Sequence, residues 1–485
     1  MPAIDGKTYI TRIDGLNADV WYNGEKVTGK LSEHPAFKGI IKTQAELYDL
    51  QHDPRFADLL TAKTASGDRV GRAYLAPKTK EDLERRRLAT QHWARHTAGM
   101  LGRSPDYMNT VVMAFGTAAD LFKTENSQAA DNLKRYYEYA MTRDISLTHT
   151  FVTPQSDRSS LFAENPDEII GARMIEENKD GIVVHGARLL ATQGATTEEI
   201  LVFPTGARLP RAKAARGMAY AFTLPNNTPG LSFICRDSFV GSDSAFDHPL
   251  SSRFEEMDTI VVFDRVTVPW ERVFLHGDVE VNNRIYQESG FYPLTTHHVV
   301  SKSIVKIEFF LGLMQAIIDS INIGEYQHVH EKVSEAIIAL EAMKGFVLSA
   351  EQNAKENRWG VMTPDPNPLQ AATIYFAKTY PRLVEIVKQL GASGLVSTPS
   401  EAAFQSEIGS ALRRYLKTTT GDGEAKTRLF RLAWDATMSA FGSRQELYER
   451  FFFGDPVRRA STLFYQYDRK AFAERIQAFL EGTPN

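Results

Sequence analysis

The chain has 485 residues, more than one simple hydrophobic core accommodates, so we expect two or three domains. Hydrophobic residues make up 43% of the chain and charged residues 24%, a balance typical of soluble globular proteins. The net charge of -4 lacks the basic footprint that binding to phosphate backbones requires, which argues against nucleic acid as the main partner.

Helical periodicity dominates the first region, residues 1–145, after an extended start. Apolar residues recur at three- and four-residue spacing over the ranges 80–100, 105–123 and 128–141. Pro105 suits the first turn of its helix, and Ser104 is placed to cap that helix. We therefore predict a mainly helical amino-terminal domain.

The second region, residues 146–275, has the pattern of a β domain. The pair Asp180-Gly181 separates two strand-like runs and is a strong hairpin signal. Strand-like runs separated by Gly, Pro and Asn cover 173–176, 182–188, 199–203, 218–224, 231–235, 259–263 and 266–268. Their spacing predicts a small antiparallel barrel or sandwich.

The third region, residues 276–485, returns to helical periodicity. Long amphipathic patterns cover 301–321, 331–357, 369–390, 401–416 and 426–440. These lengths predict an antiparallel helix bundle. The order helical, β, helical predicts an α+β fold rather than a doubly wound sheet, in which strands and helices would alternate.

The sequence lacks the patterns of a signal peptide and of a membrane-spanning helix. Residues 1–10 lack the apolar core of a signal peptide. The longest apolar stretch, 309–318, is interrupted by Gln315 and is well short of the roughly 20 residues that a membrane-spanning helix needs. The single cysteine, Cys235, cannot form a disulfide within the chain or hold a cluster. We therefore expect a cytoplasmic protein without membrane attachment.

Several common site chemistries lack their motifs. A carboxylate di-iron bundle needs two Glu-x-x-His pairs, and we find one, Glu325 with His328. The GxGxxG and Walker sequences of nucleotide loops and the GxSxG sequence of serine hydrolases are missing. We therefore expect no metal, no nicotinamide dinucleotide on a Rossmann fold, and no serine nucleophile.

The polar segment 147–159 is the strongest functional signal. It holds several hydroxyls, an amide, a guanidinium and His149, whose imidazole titrates near neutral pH. Upstream, Arg103 and Tyr107 are four residues apart across a helix start, so they can share one helix face. An arginine fork and a phenol hydroxyl can together hold an oxyanion. Each residue alone also fits a structural role, with Arg103 as a cap, Tyr107 in the core and His149 at a strand end.

These residues belong to a set of segments that resembles the oxygenase components of the two-component FAD-dependent aromatic hydroxylases, the 4-hydroxyphenylacetate 3-monooxygenase family. The resemblance spans essentially the whole chain. Each segment is weak alone, and the specificity comes from their combination in this order. The segments are 34–37, 47–50, 103–107, the polar segment around His149, 263–273, 442–450 and 454–456.

The resemblance implies a fold, a cofactor and a reaction. The fold is acyl-CoA-dehydrogenase-like, with a helical amino-terminal domain, a central antiparallel β-barrel and a carboxyl-terminal four-helix bundle. The cofactor is FAD, used as diffusible reduced FADH2 from a separate NADH-dependent flavin reductase. The reaction inserts one oxygen of O2 ortho to a phenol hydroxyl through a flavin hydroperoxide, and the expected conversion is 4-hydroxyphenylacetate to 3,4-dihydroxyphenylacetate. The family also implies a homo-oligomer, expected to be a tetramer.

The resemblance also implies roles for individual residues. Arg103, Tyr107 and His149 match the residues that hold the phenolic oxygen, and Thr205 lies near a substrate-side position, in a looser match. Thr192 matches a residue near the reactive edge of the flavin ring. The other residues expected to contact FAD are His149, Thr150, Phe151, Gln155, Ser156, Asp157, Arg158, Gly442, Ser443, Arg444 and Gln445.

Other interpretations fit parts of the pattern. Phenol and chlorophenol hydroxylases belong to the same family, and an acyl-CoA-dehydrogenase-type flavoenzyme would share the fold. A non-enzymatic helical scaffold is disfavoured by the donor-rich loops of the β region. The related 4-hydroxybutyryl-CoA dehydratase needs an iron–sulfur cluster, which one cysteine cannot hold. A basic loop can either pair with a substrate carboxylate or be solvated, and its members are Arg208, Arg211, Lys213 and Arg216.

Overall fold

A computed structural model gives the structure of residues 3–123, 128–154, 169–204, 206 and 208–482. Helices dominate both ends of this chain, and most strands lie between them. The predicted α+β class is confirmed, with helix as the larger share. Among the described residues, none of the helices combines the length and the apolar composition that a bilayer span requires.

The amino-terminal and central helices are α1 (Gly6–Leu16), α2 (Lys38–Leu50), α3 (Ala57–Leu60), α4 (Lys80–His96), α5 (Pro105–Thr117), α6 (Gln128–Arg143), α7 (Ser251–Phe254), α8 (Val279–Asn282) and α9 (Ile285–Glu288). The carboxyl-terminal helices are α10 (Phe291–Ile321), α11 (Gln327–Gln352), α12 (Pro366–Gly391), α13 (Glu401–Phe404), α14 (Gly409–Tyr415), α15 (Gly423–Thr437), α16 (Ala440–Phe451), α17 (Pro456–Gln466) and α18 (Lys470–Leu480). The single helix predicted over 401–416 is two short helices, α13 and α14.

The strands are β1 (Asp19–Tyr22), β2 (Glu25–Lys26), β3 (Thr61–Lys63), β4 (Arg69–Gly71), β5 (Leu147–Thr150), β6 (Arg173–Glu177), β7 (Gly181–Thr192), β8 (Glu199–Val202), β9 (Tyr220–Pro225), β10 (Leu231–Cys235), β11 (Asp258–Pro269), β12 (Val273–His276), β13 (Lys355–Glu356) and β14 (Met362–Thr363). Six of them form a sheet in the order β2-β1-β10-β11-β7-β6, and four form a second sheet in the order β12-β9-β8-β5. The predicted hairpin at Asp180-Gly181 is confirmed, since β6 and β7 pair antiparallel across it.

The described strands form these two sheets and not the closed antiparallel barrel that the resemblance implied. One hydrophobic cluster takes side chains from both sheets, including Phe233 and Val261 of the first and Ile200 and Phe222 of the second, so the sheets pack face to face. Two pairings are also parallel, β1 with β10 and β5 with β8. Sequence alternation marks which residues point inward, and this pattern is the same for a barrel and for a sandwich.

The long carboxyl-terminal helices pack as the bundle pattern predicts. Helices α10, α11, α12 and α15 contribute to one hydrophobic core, which also takes Ala89 and Trp93 from α4. Helix α10 begins ten residues before the predicted start at residue 301, and residues 294–301 of this missed part are buried although many of them are polar. The predicted divisions at residues 145 and 275 stay predictions, and strand β1 of the first region pairs with β10 of the second.

Candidate active site

The site is built on the start of helix α5. Pro105 occupies the first turn and Ser104 is the N-cap residue, as predicted, but the Ser104 hydroxyl donates to Oδ1 of Asp106 at 2.6 Å instead of capping the backbone. The guanidinium carbon of Arg103 lies 5.1 Å from the centre of the Tyr107 ring. The two side chains therefore share one face, as their spacing predicts.

Arg103 is buried, with 7% of its surface exposed. Its Nη1 donates to the carbonyl of Gly102 at 3.1 Å and to Oη of Tyr448 at 3.4 Å, and its guanidinium lies 4.9 Å from the Phe452 ring centre. Among the described residues, its Nε has no hydrogen-bond partner and no carboxylate forms an ion pair with the guanidinium. A buried cation without a counter-charge is costly, so this position suits an anionic or strongly accepting ligand atom.

His149 lies on β5 beside this cluster. Its ring stacks on Phe151 at 5.2 Å between centres and lies 6.0 Å from the Tyr107 ring centre, and its Nδ1 is 3.2 Å from Sδ of Met108. Burial lowers the pKa of His149 well below its ordinary value, and the charge of Arg103 lowers it further. The imidazole is therefore neutral at neutral pH and has the form that accepts a proton.

A second histidine, His298 of α10, lies on another side of Tyr107, with 5.3 Å between ring centres. Its Nε2 is 2.9 Å from Oδ2 of Asp106, and its Nδ1 is buried and has no hydrogen-bond partner in the part of the chain that the structure describes. Asp106 also accepts from Thr90 at 3.0 Å. The hydrogen-bonded pair of Asp106 and His298 thus links helix α5 to helix α10, and the His298 ring packs against Tyr107.

The backbone around Arg103 is fixed at both ends. Glu256, fully buried, accepts the N–H of Arg103 at 2.7 Å and the N–H of Gly102 at 2.9 Å. Gln44 donates to the carbonyl of Arg103 at 2.8 Å, and Gln193 donates to Glu256 at 3.1 Å. Arg103 is thus held in place before any ligand binds, which lowers the cost of orienting it.

Thr192 connects this region to the carboxyl-terminal helices. Its hydroxyl donates to Oδ1 of Asp258 at 2.8 Å, and Arg444 binds the same carboxylate with two hydrogen bonds of 2.7 Å. Burial opposes ionisation of Asp258, but the guanidinium of Arg444, aided by Arg236, holds its pKa well below the ordinary value. The proton of the Thr192 hydroxyl is therefore directed at an ionised carboxylate, and the oxygen is left to accept.

Residues 442–445 lie in the first two turns of helix α16. Gly442 packs directly against the backbone of 435–437, and Ser443 is exposed. Gln445 is fully buried, and its Oε1 accepts from Nζ of Lys306 at 2.7 Å. Nη1 of Arg444 and Nε2 of Gln445 are buried without hydrogen-bond partners among the described residues.

Tyr448 joins the two halves of the site. Three cationic side chains surround its ring or hydroxyl: Arg103 by the contact given above, Lys302 at 5.3 Å and Arg444 at 5.4 Å from the ring centre. Its hydroxyl occupies the space where a Cβ at Gly102 would lie, at 2.1 Å. The residues predicted to touch the phenol and those predicted to touch FAD therefore share one packing partner.

The structure brings together most, but not all, of the predicted site residues. Thr150, next to His149 and Phe151, is buried, and its Oγ1 has no hydrogen-bond partner among the residues given by the structure. The side chains of Arg208, Arg211 and Arg216 are exposed and Arg211 pairs with Glu280, which favours a solvated basic loop. The predicted residues Gln155, Ser156, Asp157, Arg158 and Thr205 lie outside the described residues.

Sequence reasoning missed the buried charges that support the site. Glu256 and Asp258 belong to an acidic run directly before an apolar strand, a signal that could have been noticed. Lys302 and Lys306 lie one helical turn apart among the apolar residues of 299–307. Buried charged residues are rare unless paired, so such interruptions are candidates for networks.

Nearly the whole chain matches the two family models of one enzyme family. A family model described as 4-hydroxyphenylacetate 3-hydroxylase, N terminal, matches residues 5–275, and the model of its C-terminal part matches residues 282–481. The chain belongs to the 4-hydroxyphenylacetate 3-hydroxylase family. Within this family, a probable 4-hydroxyphenylacetate 3-monooxygenase of Bacillus subtilis (strain 168) is 48% identical over 99% of both chains. The 4-hydroxyphenylacetate 3-monooxygenase oxygenase component of Thermus thermophilus is 46% identical over 99% of this chain and 97% of that protein.

Solved structures give the same family. The crystal structure of the oxygenase component of 4-hydroxyphenylacetate 3-monooxygenase complexed with FAD and 4-hydroxyphenylacetate superimposes with a TM-score of 0.94 at 45% identity, covering 99% of both chains. An archaeal 4-hydroxybutyryl-CoA dehydratase superimposes with a TM-score of 0.88 at 19% identity, covering all of this chain and 96% of the other. That second likeness concerns the fold alone.

Proposed function

We infer that this chain is the oxygenase component of a flavin-dependent monooxygenase that hydroxylates 4-hydroxyphenylacetate ortho to its hydroxyl, giving 3,4-dihydroxyphenylacetate. The observation that carries this proposal is the buried guanidinium of Arg103, which has no described counter-charge and lies beside Tyr107 and the neutral His149. Membership of the 4-hydroxyphenylacetate 3-hydroxylase family supports it.

Reduced FAD fits the polar atoms that the site offers. The candidate flavin-binding residues carry three buried polar atoms without hydrogen-bond partners among the described residues: Nε2 of Gln445, Oγ1 of Thr150 and Nη1 of Arg444, the last of which still lies 3.5 Å from Oε2 of Glu256. Buried polar groups normally have hydrogen-bond partners, and the edge of a flavin ring presents several acceptors and a donor. When bound, reduced FAD supplies the chemistry that activates dioxygen. Thr192, with its proton directed to Asp258, would accept a hydrogen bond from a flavin N–H.

The phenol side of the site prepares the substrate. Electrophilic attack at the ortho carbon becomes easier as negative charge develops on the phenolic oxygen. Arg103 stabilises that charge, and Tyr107 donates a hydrogen bond because burial raises the pKa of its own hydroxyl and keeps it protonated. The neutral imidazole of His149 takes or shares the phenolic proton.

The surrounding apolar side chains keep water from this chemistry. Phe151 and Phe452 lie against His149 and Tyr107, and most of the cluster is buried. Exclusion of water strengthens the contact between Arg103 and the phenolic oxygen, and it limits loss of reducing equivalents as hydrogen peroxide.

An acyl-CoA-dehydrogenase-type reaction fits the site less well. It would need a glutamate free to remove a proton from carbon. Glu256 is a buried glutamate of the site, but its oxygens accept from the backbone of Gly102 and Arg103 and from Gln193. The acyl-CoA-dehydrogenase-like fold itself stays a proposal, supported by the order of helical, β and helical regions. Purified enzyme of the dehydrogenase type would be yellow with tightly bound FAD, whereas we expect a nearly colourless protein.

The proposed partners are a separate NADH-dependent flavin reductase and further copies of this chain. Helices α17 and α18 contain no buried residue, and large apolar side chains on them are exposed, including Val457, Phe464, Phe479 and Leu480. Such exposed apolar surface is typical of a protein interface. We expect light scattering to give a tetramer, and a monomer would overturn this part of the proposal.

The substrate is tested by comparing three phenols with chemically reduced FAD and no reductase. We expect kcat/KM for 4-hydroxyphenylacetate to exceed that for phenol and for 4-chlorophenol by about tenfold or more, since recognition of its carboxylate adds a polar contact. Equal or higher values for phenol or 4-chlorophenol would make the enzyme a simple phenol or chlorophenol hydroxylase of the same family.

A further inference from the structure

Two buried lysines of helix α10 share one carboxylate of helix α16, next to residues 442–445. Nζ of Lys302 and Nζ of Lys306 lie 2.8 Å and 2.7 Å from the same Oε1 of Glu449. All three side chains are at most 4% exposed. Lys306 makes one further hydrogen bond, 2.7 Å long, to Oε1 of Gln445. Lys302 has no second hydrogen bond of this type within the described ranges, and its Nζ lies over the ring of Tyr448.

The chemistry of these groups fixes the orientation of the Gln445 amide. An ammonium group only donates hydrogen bonds, whereas a glutamine amide has one accepting oxygen and one donating nitrogen. The oxygen of Gln445 must therefore face Lys306, whichever way the amide would otherwise turn. Its Nε2 then faces away from the lysine. That nitrogen is fully enclosed and has no hydrogen-bond partner among the described residues.

The hydrogen bonds of Lys306 to Gln445 and Glu449 persist although burying the charged ammonium group is unfavourable. Burial lowers the pKa of Lys306 to about 8, although Glu449 acts in the opposite direction. Glu449 itself stays ionised, since the two lysines outweigh its burial and hold its pKa below the ordinary value. One buried cation would be enough to balance the charge of Glu449, so the second lysine needs another explanation. Buried charges are seldom present without a structural or functional use.

We propose that Lys306 is a positioning residue for the cofactor: by holding the oxygen of Gln445, it presents the amide N–H as a hydrogen-bond donor to an acceptor atom of the bound flavin. This inference rests on the proposed function, because it requires that FAD binds beside Gln445. Glu449 anchors Lys306, and Lys302 balances the charge without touching Gln445.

The test measures FAD affinity under anaerobic conditions, for reduced and for oxidised FAD, and needs no turnover. Lys306→Met should weaken binding by about tenfold, the loss expected for one hydrogen bond in a buried site. Lys302→Met is the matched control, since it removes the same charge from the same carboxylate and leaves the bond to Gln445. We expect it to change the dissociation constant by less than about threefold.

A double-mutant cycle separates positioning from a general charge effect. If Lys306 acts through Gln445, then Lys306→Met should cause no further loss of affinity in a Gln445→Leu background. An equal loss in both backgrounds, or equal losses for the two lysine variants, would overturn the inference. Circular dichroism and thermal melting check that each variant folds.

Gln445→Glu keeps the test decisive if Lys306→Met does not fold. The carboxylate would pair with Lys306 and preserve the network, but it has no N–H to donate. We expect this variant to fold and to bind FAD about tenfold more weakly. Unchanged affinity would overturn the inference while leaving the proposed function intact. A wild-type chain that binds no FAD in either redox state would instead overturn the proposed function.

Discussion

Arg444 and Asp258 form a two-point ion pair, with both nitrogen–oxygen distances at 2.7 Å, between helix α16 and the first residue of strand β11. The residues are 186 positions apart in the sequence. The same carboxylate accepts the hydroxyl of Thr192. One buried pair thus connects the carboxyl-terminal turn to the threonine that we place beside the flavin, so both cofactor-side elements depend on it.

Replacing Arg444 with methionine should destabilise the protein strongly. It leaves the Asp258 carboxylate, whose side chain is 14% exposed, with only Arg236 and Thr192 as partners, so a loss toward the lower end of about 3–5 kcal/mol in the free energy of unfolding at pH 7 is expected. In the wild type the pKa of Asp258 is depressed, so its stabilisation is present above the unfolded pKa of about 4 and is lost as pH falls toward the folded value.

The difference between wild type and Arg444→Met should therefore shrink below about pH 4, where the Asp258 carboxyl of the variant, left with Arg236 as its one cationic partner among the described residues, can take up a proton. Urea unfolding at pH 7 and at acidic pH measures this. The double variant Arg444→Met with Asp258→Asn should recover part of the loss at pH 7, since it removes the charge that Arg444 no longer balances. No recovery would mean that the guanidinium stabilises through packing alone.

His149→Ala should separate cofactor binding from hydroxylation. The variant keeps Thr192, Arg444 and Gln445, so we expect reduced FAD to bind with little change. Without the imidazole, the phenolic proton has no acceptor, and oxygen consumption should yield mostly hydrogen peroxide in place of 3,4-dihydroxyphenylacetate. A general-base contribution of about 10²-fold in the hydroxylation rate is expected. Hydroxylation at the wild-type rate would rule out this role for His149.

His149 should also make the protein sensitive to acid. Burial depresses the pKa of His149 in the folded state. Below about pH 6.5 the unfolded chain therefore binds a proton at this residue, whereas the folded chain does not. Stability falls as pH drops through that range, by up to about 1.4 kcal/mol per pH unit for this group. The variant His149→Asn should show a flatter dependence of melting temperature on pH between 6.5 and 5. Identical slopes for both proteins would contradict the assigned neutral state.

Gly102→Ala tests the packing that positions Arg103. A Cβ at residue 102 would lie 2.1 Å from Oη and 2.5 Å from Cζ of Tyr448, so the ring must move, and the contact between Tyr448 and Arg103 moves with it. We expect at least a tenfold loss of hydroxylation rate, since small displacements of catalytic groups are costly. Gly15→Ala is the control: it lies exposed in helix α1 with open space around its Cβ, and it should stabilise the helix slightly and leave the rate unchanged.

Local patterns predicted the parts of the structure that local physics controls. The hairpin at Asp180-Gly181 and the shared face of Arg103 and Tyr107 follow from neighbours in sequence, and both are present. Strand alternation marked the β region but could not distinguish two facing sheets from a barrel. The early start of α10 was missed because a helix buried on most sides has no amphipathic pattern to detect.

The supporting network of the site could not be predicted in the same way. Glu256 and Arg103 form a hydrogen bond although they are 153 positions apart in the sequence, and Lys306 and Gln445 do so at a separation of 139. Nothing in a single sequence states which distant buried charges meet. Only the residue types gave a hint, since charged residues inside apolar segments need partners. Family resemblance supplied the roles that spacing alone left undecided.

The central claim is that this chain transfers one oxygen atom of O2 to a phenol held by Arg103, Tyr107 and His149. The most direct measurement is a single turnover of wild-type protein with chemically reduced FAD, 4-hydroxyphenylacetate and ¹⁸O₂, without reductase, followed by mass spectrometry of the product. We predict 3,4-dihydroxyphenylacetate that carries one ¹⁸O atom. Consumption of ¹⁸O₂ with only hydrogen peroxide formed, or product that carries no ¹⁸O, would contradict the claim.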